Sequence, residues 1–314
     1  MSPVVADPPL RQLTRLRSEF SIAATQLAAS LFSGRPLVSL EFGIVSRVCL
    51  PDWIQDGVIA PPAVPVNAIT VRRIAQSLGG SAETVRRHVN NLLDQGIFVA
   101  LPHGIALGDT PQARSAAIRN FTGIHDLFLR MVEDLHYTSD YFLSPVTPAV
   151  VSMLDLLERA ADTLLMTVDS YAIRGISRNG LMLWAGLTNV AVRDVTYDPV
   201  LARRYANEIP PDSVRLGISL RRIAAALSMP YATAWRQIEA LTAAGLVSRL
   251  PNGDWTVLAH NLQHADIRAI STSPSVFLAN KLRDLAMLGL NPADIPARYI
   301  TGRPPIADLG LAVS

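Results

Sequence analysis

The chain has 314 residues, about twice the ~150 residues of a usual domain, which predicts two units that each fold around a core. Hydrophobic residues make up 49% of it and charged residues 17%, a balance that excludes an intrinsically disordered chain. A formal net charge of +2 at pH 7 excludes a broadly polycationic protein and leaves room for local basic patches.

The N-terminal residues 1–10 have no basic start followed by an apolar run, so we expect no export signal. The longest uncharged stretches, 20–34 and 179–192, are shorter than the ~18 apolar residues that a membrane span requires. Cys49 is the only cysteine, which excludes an intramolecular disulfide and a cysteine-rich zinc site. These features favour a cytoplasmic protein without membrane contact.

Apolar residues at helical spacing predict long helices on both sides of two segments that follow Pro-rich connections. The first half, residues 1–148, is expected to contain helices at 11–33, 40–50 and 112–137 around a motif at 69–108. The second half, 149–314, is expected to contain helices at 150–171, 181–195 and 275–288 around a motif at 218–258. We place the joint between the halves at 141–148, because residues before proline avoid the helical conformation. The Pro-rich ends, 1–9 and 291–314, are expected to be loosely held.

The two motifs are copies of one another. A shift of 149 positions lays residues 69–104 onto 218–253 without a gap, and 13 of the 36 pairs are identical. The match extends upstream to a Pro-Pro pair in each half. An internal repeat of this extent predicts a duplicated structural unit.

Each copy predicts a helix, a turn, a second helix and a short β-hairpin. Thr70 and Ser219 are placed to cap the first helix of their copies. The second helix is predicted at 82–95 and at 231–244, and Gly96 is well placed as a left-handed stop after the first of these. The hairpin strands are predicted at 97–101 with 105–107, and at 246–250 with 255–258.

The segments from Ser81 to Gly96 and from Tyr231 to Gly245 resemble the Thr-Val-x-Arg…Leu…Gly recognition segment of bacterial winged helix-turn-helix transcription regulators. The resemblance implies a mainly α fold with small β-hairpin wings, built from tandem duplicated winged helix-turn-helix domains with flanking helices. It also implies sequence-specific binding of double-stranded DNA, with the second helix of each copy in the major groove. Such a regulator would be associated with the nucleoid in the cytoplasm.

The residues opposite the apolar face of each second helix are the candidates for reading DNA. Arg87 lies at the centre of this outward face in the first copy and Arg236 in the second, and Arg makes bidentate contacts with guanine and phosphate. Each motif contains four Arg against two acidic residues, so a modest positive charge is concentrated there. The candidate DNA-binding residues are Arg72, Arg73, Ser81, Glu83, Thr84, Arg86, Arg87, Asn90, Asn91 and His103 in the first copy, and Arg221, Arg222, Tyr231, Thr233, Trp235, Arg236, Gln237, Arg249 and Asn252 in the second.

The copies differ at outward positions, which predicts that they read different half-sites. Arg86 and His88 of the first copy are replaced by Trp235 and Gln237 in the second. Trp235 could stack on a sugar or fill the joint beneath the hairpin, and its place on the flank of the helix favours packing.

Three further positions could touch the DNA backbone. Tyr231 begins the second recognition helix and could reach a phosphate. His103 and Asn252 lie at the hairpin tips, which contact DNA in many winged helices, although surface turns also favour these residue types.

The sequence carries no catalytic or cofactor signature. It has no glycine-rich phosphate or dinucleotide loop and no nucleophile pattern, so we expect a non-enzymatic protein without a cofactor. His260 and His264 could hold a metal only if the segment between them were helical and an acidic or sulfur ligand converged on it. We therefore expect no metal site.

Other functions stay open at this point. Winged helices also serve as protein-interaction modules in chromosome-organising assemblies, and tandem winged helices occur in replication initiators. Arg87 and Arg236 argue against a pure interaction module, which has no need of matched outward arginines. Whether a small-molecule effector binds, and which one, is also open.

The long apolar helices before each motif either pack onto it or form an interface between halves or between chains. Packing is the default expectation for such helices. The helix at 13–32 has an apolar face that is hard to cover from one half alone, which favours a homodimer over a monomer.

Overall fold

The structure is a computed structural model that describes residues 7–32, 36–79, 81–139, 141, 150–170, 176–263 and 265–311. Most of the predicted joint at 141–148, the first six residues and His264 lie outside this part of the chain. The described residues are mainly helical, with three small antiparallel hairpins of two strands each. None of the described helices is long and apolar enough to cross a membrane.

The helices are α1 (Leu10–Leu31), α2 (Pro36–Trp53), α3 (Val71–Ser77), α4 (Ala82–Asp94), α5 (Pro111–Thr138), α6 (Met153–Ser170), α7 (Arg178–Ala191), α8 (Arg193–Tyr197), α9 (Pro199–Arg204), α10 (Leu220–Ala226), α11 (Tyr231–Ala243) and α12 (Ala265–Met287). The strands are β1 (Ile54–Gln55), β2 (Val58–Ile59), β3 (Phe98–Leu101), β4 (Gly104–Leu107), β5 (Ser248–Arg249) and β6 (Trp255–Thr256). Helix α12 begins well before its predicted start at 275, because it continues through Pro274.

Both copies of the repeat fold as two helices, joined by a short turn and followed by a hairpin. The Thr70 hydroxyl accepts a hydrogen bond from the Arg73 backbone N–H, and Ser219 accepts the matching bond from Arg222, so both predicted caps are confirmed. Gly96 follows α4 with a φ of +66°, a conformation that glycine adopts at little cost. The predicted left-handed stop is confirmed.

Each hairpin is held to the segment that precedes its motif. Ile69 pairs with Ile105 of β4, and Ile218 makes the equivalent backbone pair with Trp255 of β6. A Cβ atom at Gly104 would lie 2.8 Å from the Ile69 carbonyl carbon, so the close approach requires glycine. The second hairpin is shorter than the strands predicted at 246–250 and 255–258, and it pairs Ser248 with Thr256 and Arg249 with Trp255.

The helices form two hydrophobic cores, and these do not follow the two halves of the sequence. The first core contains residues of α1 to α5 and of the first motif's hairpin. Helices α6 and α12, which the sequence places in the second half, also pack into this core. The second core is formed by α7, α10, α11, the β5–β6 hairpin and two residues of α1.

The opening helix of each half packs against the other half, and α1 also packs against α2 of its own half. Helix α1 packs against α7, which precedes the second motif, and α6 packs against α2, which precedes the first. The long helices α1, α5, α6 and α12 contact one another between the two motifs, with α1 against α5 and α12, and α6 against the same two helices. Each half therefore supplies a helix to the core that holds the other half's motif.

Helix α1 is buried within the chain on more than one side. Leu16 and Phe20 belong to the first core, whereas Ile22 and Ala23 belong to the second. Polar side chains also tie it in, because Asn189 of α7 donates a hydrogen bond to Ser18 across 2.7 Å. The apolar face that favoured a homodimer is thus covered by both halves of one chain, and it is not free to pair with a second chain.

The C-terminal segment after α12 is packed, contrary to the expectation that 291–314 is loosely held. Ile295 and Leu309 are almost fully buried. The Ala307 backbone N–H donates a hydrogen bond to Glu19 of α1 across 2.9 Å. The segment runs from the first core to the second, because Ile295 lies in the former and Ala307 and Leu309 in the latter.

Candidate nucleic-acid interface

The outward face of α4 is polar and open to solvent. Its apolar face is buried through Val85, Val89 and Leu92. The amphipathic pattern of the sequence therefore fixes which side of α4 faces out. The exposed residues on that side are Ser81, Glu83, Thr84, Arg86, Arg87 and Asn90.

Arg87 is exposed at the centre of this face and has no hydrogen-bond or ion-pair partner among the described residues. The side chains of Arg72 and Arg73 on the preceding α3 are also exposed and without such a partner in the described chain. Three unpaired guanidinium groups on two adjacent helices form a positive surface. Unpaired guanidinium groups are suited to phosphate oxygens and guanine edges.

Arg86 is engaged by a neighbour on its own helix. Its guanidinium lies 2.6 Å from the Glu83 carboxylate, one turn away, and both side chains are exposed. In this ion pair the charges of Arg86 and Glu83 compensate one another, so neither side chain is unpaired as Arg87 is. Asn91 is half-buried and accepts a hydrogen bond from Gln95, so it lies at the edge of the face. Ser81 makes no capping hydrogen bond, which leaves its hydroxyl free at the start of α4.

The second copy presents Arg236 at the position that matches Arg87. It is likewise exposed and has no hydrogen-bond or ion-pair partner within the described ranges, and the same holds for the Arg222 side chain on α10. Thr233 is only half-exposed, whereas its counterpart Thr84 is exposed. The feature that the two copies share is therefore the arginine at the centre of the second helix.

Two aromatic side chains are exposed on α11, next to Arg236. Tyr231 is 47% exposed and Trp235 is 45% exposed, and their ring centroids lie 6.3 Å apart. The Arg221 guanidinium from α10 lies 5.8 Å from the centroid of the Tyr231 ring. The expectation that Trp235 packs beneath the hairpin is wrong, because nearly half of its side chain is exposed. The buried tryptophans of the second core are Trp184 of α7 and Trp255 of β6.

Position 237 is a packing position rather than a reading position. Gln237 is only 8% exposed, and the Ser177 hydroxyl at the start of α7 donates a hydrogen bond to it across 2.5 Å. The matching His88 of the first copy lies 2.9 Å from Glu41 of α2. In both copies this residue anchors the second helix to the helix that precedes the motif, so Gln237 is not available to DNA. The spacing of residues along α11 could not predict this burial, because it gives positions on one helix and does not show which other helix packs against it.

The hairpin tips are exposed, but their side chains also make hydrogen bonds within the protein. His103 Nε2 lies 2.9 Å from the Val66 carbonyl oxygen. Asn252 accepts a hydrogen bond from the Asp254 backbone N–H across 3.1 Å, which is the local turn-forming role of Asn. Arg249 lies over the Trp255 ring, 5.7 Å from its centroid, and its guanidinium edge stays exposed.

The arrangement supplies cationic hydrogen-bond donors on two exposed helix faces. Among the described residues, no cluster of three His, Cys, Asp or Glu side chains is placed to hold a metal ion. His260 lies in a short 3₁₀ helix, His260–Gln263. The chemistry open to this surface is the binding of a polyanion through guanidinium groups and aromatic faces.

Comparison of the chain with protein-family models, with curated proteins and with solved structures finds no match. The assignment of function therefore depends on the chain's own residues, on their repetition and on the surface that they form.

Proposed function

We propose that this protein binds double-stranded DNA sequence-specifically and acts as a transcription regulator in the cytoplasm, associated with the nucleoid. In this proposal each copy of the repeat is a winged helix-turn-helix, α4 and α11 enter successive major grooves, and the hairpins are the wings. The proposed activity needs neither a catalytic step nor a cofactor.

The observation that carries the proposal is the pair Arg87 and Arg236. They occupy the same position of the repeat, lie at the centre of an exposed helix face, and have no ion-pair partner in the described part of the chain. A structural arginine would be expected to have a carboxylate or carbonyl partner, as Arg130 has in Glu19 at 3.3 Å. Two matched arginines without partners favour a ligand that supplies the anionic groups.

The charges around these residues support DNA rather than an acidic small molecule. Arg72 and Arg73 on α3 and Arg221 and Arg222 on α10 spread the positive charge over more than one helix in each copy. Non-specific contacts of this kind with phosphates position a protein on a duplex, whereas contacts with bases specify the site.

The packing of α1 and α6 across the two halves supports simultaneous use of both motifs. Because α1 and α6 each pack against the other half, the two second helices belong to one packed assembly rather than to two domains on a flexible tether. When one motif binds, the other is held nearby at a high effective concentration. Each motif can then bind weakly while the pair binds well.

Recovery of bound genomic fragments tests the proposal. Purified full-length protein is mixed with sheared genomic DNA at low salt, and the retained fragments are sequenced. We expect a shared sequence motif, and retention that falls steeply as salt is raised. Absence of retention at low salt would overturn the proposal.

Matched variants make the test specific to the proposed surface. Arg87→Ala combined with Arg236→Ala should abolish the enrichment, whereas Arg119→Ala should preserve it. Arg119 is the right control because it is an exposed arginine on α5, outside both motifs, and its side chain has no partner among the described residues. Equal enrichment by the double variant would contradict the assignment of the site.

A further inference from the structure

The two proposed reading helices differ in chemistry at matching positions. In the second copy, Arg221, Tyr231 and Trp235 form an exposed cluster, which we call the aromatic cluster, with the ring centroids 6.3 Å apart and the Arg221 guanidinium 5.8 Å from the Tyr231 ring. The matching residues in the first copy are Arg72, Ala82 and Arg86, which contain no aromatic ring. The aromatic cluster is therefore a property of α11 and not of the repeat.

The aromatic cluster lies where a recognition helix meets base edges. Tyr231 is the first residue of α11, and Trp235 follows one turn later on the same side. The N-terminal residues of a recognition helix are the ones that contact bases in the major groove. Nearly half of each aromatic side chain is exposed, so both rings are available to a ligand.

Both apolar and cationic groups meet on this face. Arg221 lies beside the Tyr231 ring and Arg236 follows Trp235 in the chain, and both arginines are exposed. This combination suits an anionic partner that also carries an apolar group. In the major groove of DNA, that apolar group is the C5-methyl of thymine, and apolar side chains read it by direct contact.

We propose that Tyr231 and Trp235 read thymine methyl groups in one half of the DNA site, whereas α4 reads the other half through Arg87 without such a contact. This inference rests on the proposed DNA binding. It makes the DNA site asymmetric in a defined way, with a thymine-containing half on the side of α11.

The test replaces single thymines by deoxyuridine, which removes the methyl group and leaves the base pair intact. The duplex is one recovered from genomic DNA, it carries a fluorescent label, and affinity is measured by fluorescence anisotropy. We expect replacement at one or two positions in one half to weaken binding about fourfold each, which is the effect of losing one buried methyl group. Replacement in the other half should change nothing.

A variant then locates the side chain that reads the methyl group. Trp235→Ala should weaken binding to the thymine duplex, and at the position that Trp235 reads it should bind the thymine and uracil duplexes equally well. Arg86→Ala, at the matching position of α4, should keep the full effect of uracil. Because Trp235 is exposed, the Trp235→Ala variant should have a thermal unfolding midpoint close to that of the unmodified protein. A loss of affinity would then result from the loss of a DNA contact and not from unfolding.

Each remaining result overturns the inference. If uracil is tolerated at every position, or if Trp235→Ala keeps both the affinity and the uracil effect, thymine is not read by the aromatic cluster. The second of these results would indicate a surface for a protein partner instead, because Tyr and Trp are also enriched in protein interfaces. A protein that retains no DNA at low salt overturns the proposed function together with this inference.

Discussion

The carboxylate of Asp126 on α5 accepts two hydrogen bonds from Thr301, one from the backbone N–H at 2.8 Å and one from the hydroxyl at 2.7 Å. It also accepts a bond from the Ile300 N–H at 2.9 Å. Burial by itself would raise the pKa of Asp126, but these hydrogen bonds and one from His125 outweigh burial and lower the pKa below its usual value. Asp126 thereby fixes the C-terminal segment to the first core.

We expect Asp126→Asn to lower the free energy of unfolding at pH 7 by about 1–3 kcal/mol, because the amide N–H₂ cannot accept the bonds from Thr301. A lowered folded-state pKa contributes stability above the unfolded pKa of ~3.9 and loses it as the pH falls through the folded value. Urea unfolding should thus show a difference between the two proteins at pH 7 that shrinks below pH ~4. The control is Asp284→Asn, which removes an exposed carboxylate that has no hydrogen-bond partner among the described residues. A difference that persisted at low pH would contradict the role of Asp126.

Arg87→Ala and Arg236→Ala should each weaken binding to the recovered DNA site by about 1–3 kcal/mol if they contact base edges. Each variant should relax sequence preference in one half-site only, since the two helices read different halves. Thermal unfolding should change little because both side chains are exposed. Competition binding against duplexes with single base changes measures the effect, and a uniform loss over all sequences would indicate phosphate contacts instead.

Arg72→Ala on α3 should behave differently from the variants on α4. We expect a similar loss of affinity for every DNA sequence. The slope of log affinity against log salt concentration should also become smaller by about one unit, because one phosphate contact is lost. Titrations at several salt concentrations measure this slope. An unchanged slope would place Arg72 away from the DNA backbone.

Cys49 on α2 should resist thiol reagents in the folded protein. Burial raises the pKa of its thiol to about 11, so at pH 8 it stays protonated as well as inaccessible. Between the unfolded pKa of ~8.5 and pH ~11 the unfolded chain ionises while the folded one does not, so the free energy of unfolding should fall as the pH rises. Disulfide-exchange labelling should be slow in native buffer and rapid in denaturant, and rapid native labelling would show that the first core opens readily.

We expect the protein to be a monomer of 34.0 kDa in light scattering at micromolar concentration. The reason is that α1, the helix best suited to pairing by its sequence, contributes Leu16 and Phe20 to one core and Ile22 to the other. Deletion of α1 should therefore unfold the chain instead of merely separating two subunits. A species of twice this mass would indicate a dimer interface elsewhere on the surface.

Local features of the fold could be predicted from the sequence. The caps at Thr70 and Ser219, the stop at Gly96 and the order of helix, turn, helix and hairpin depend on residues close together in the chain, and their patterns are read directly. The outward position of Arg87 follows from the same helical spacing.

Long-range features could not be predicted in the same way. The periodicity of α6 indicates an apolar face but not that α2 of the other half covers it. The Pro-rich C-terminal segment is held in part by backbone N–H groups that donate to Asp126 and Glu19, and such bonds leave no hydropathy signal. Helical spacing predicts an outward position for Gln237, and the side chain is buried because the start of α7 packs against it.

The packing of each opening helix against the other half has a consequence for the way the proposed DNA specificity can change. In a symmetric homodimer, every substitution on a reading helix appears twice, so both half-sites must change together. Here the packing that a dimer interface would provide is made within one polypeptide, by α1 on α7 and α6 on α2. If the protein binds DNA as proposed, a single mutation can alter one half-site alone, and Arg86 and Trp235 at matching positions are an instance of such a difference. A target without twofold symmetry then requires neither a second gene product nor a heterodimer.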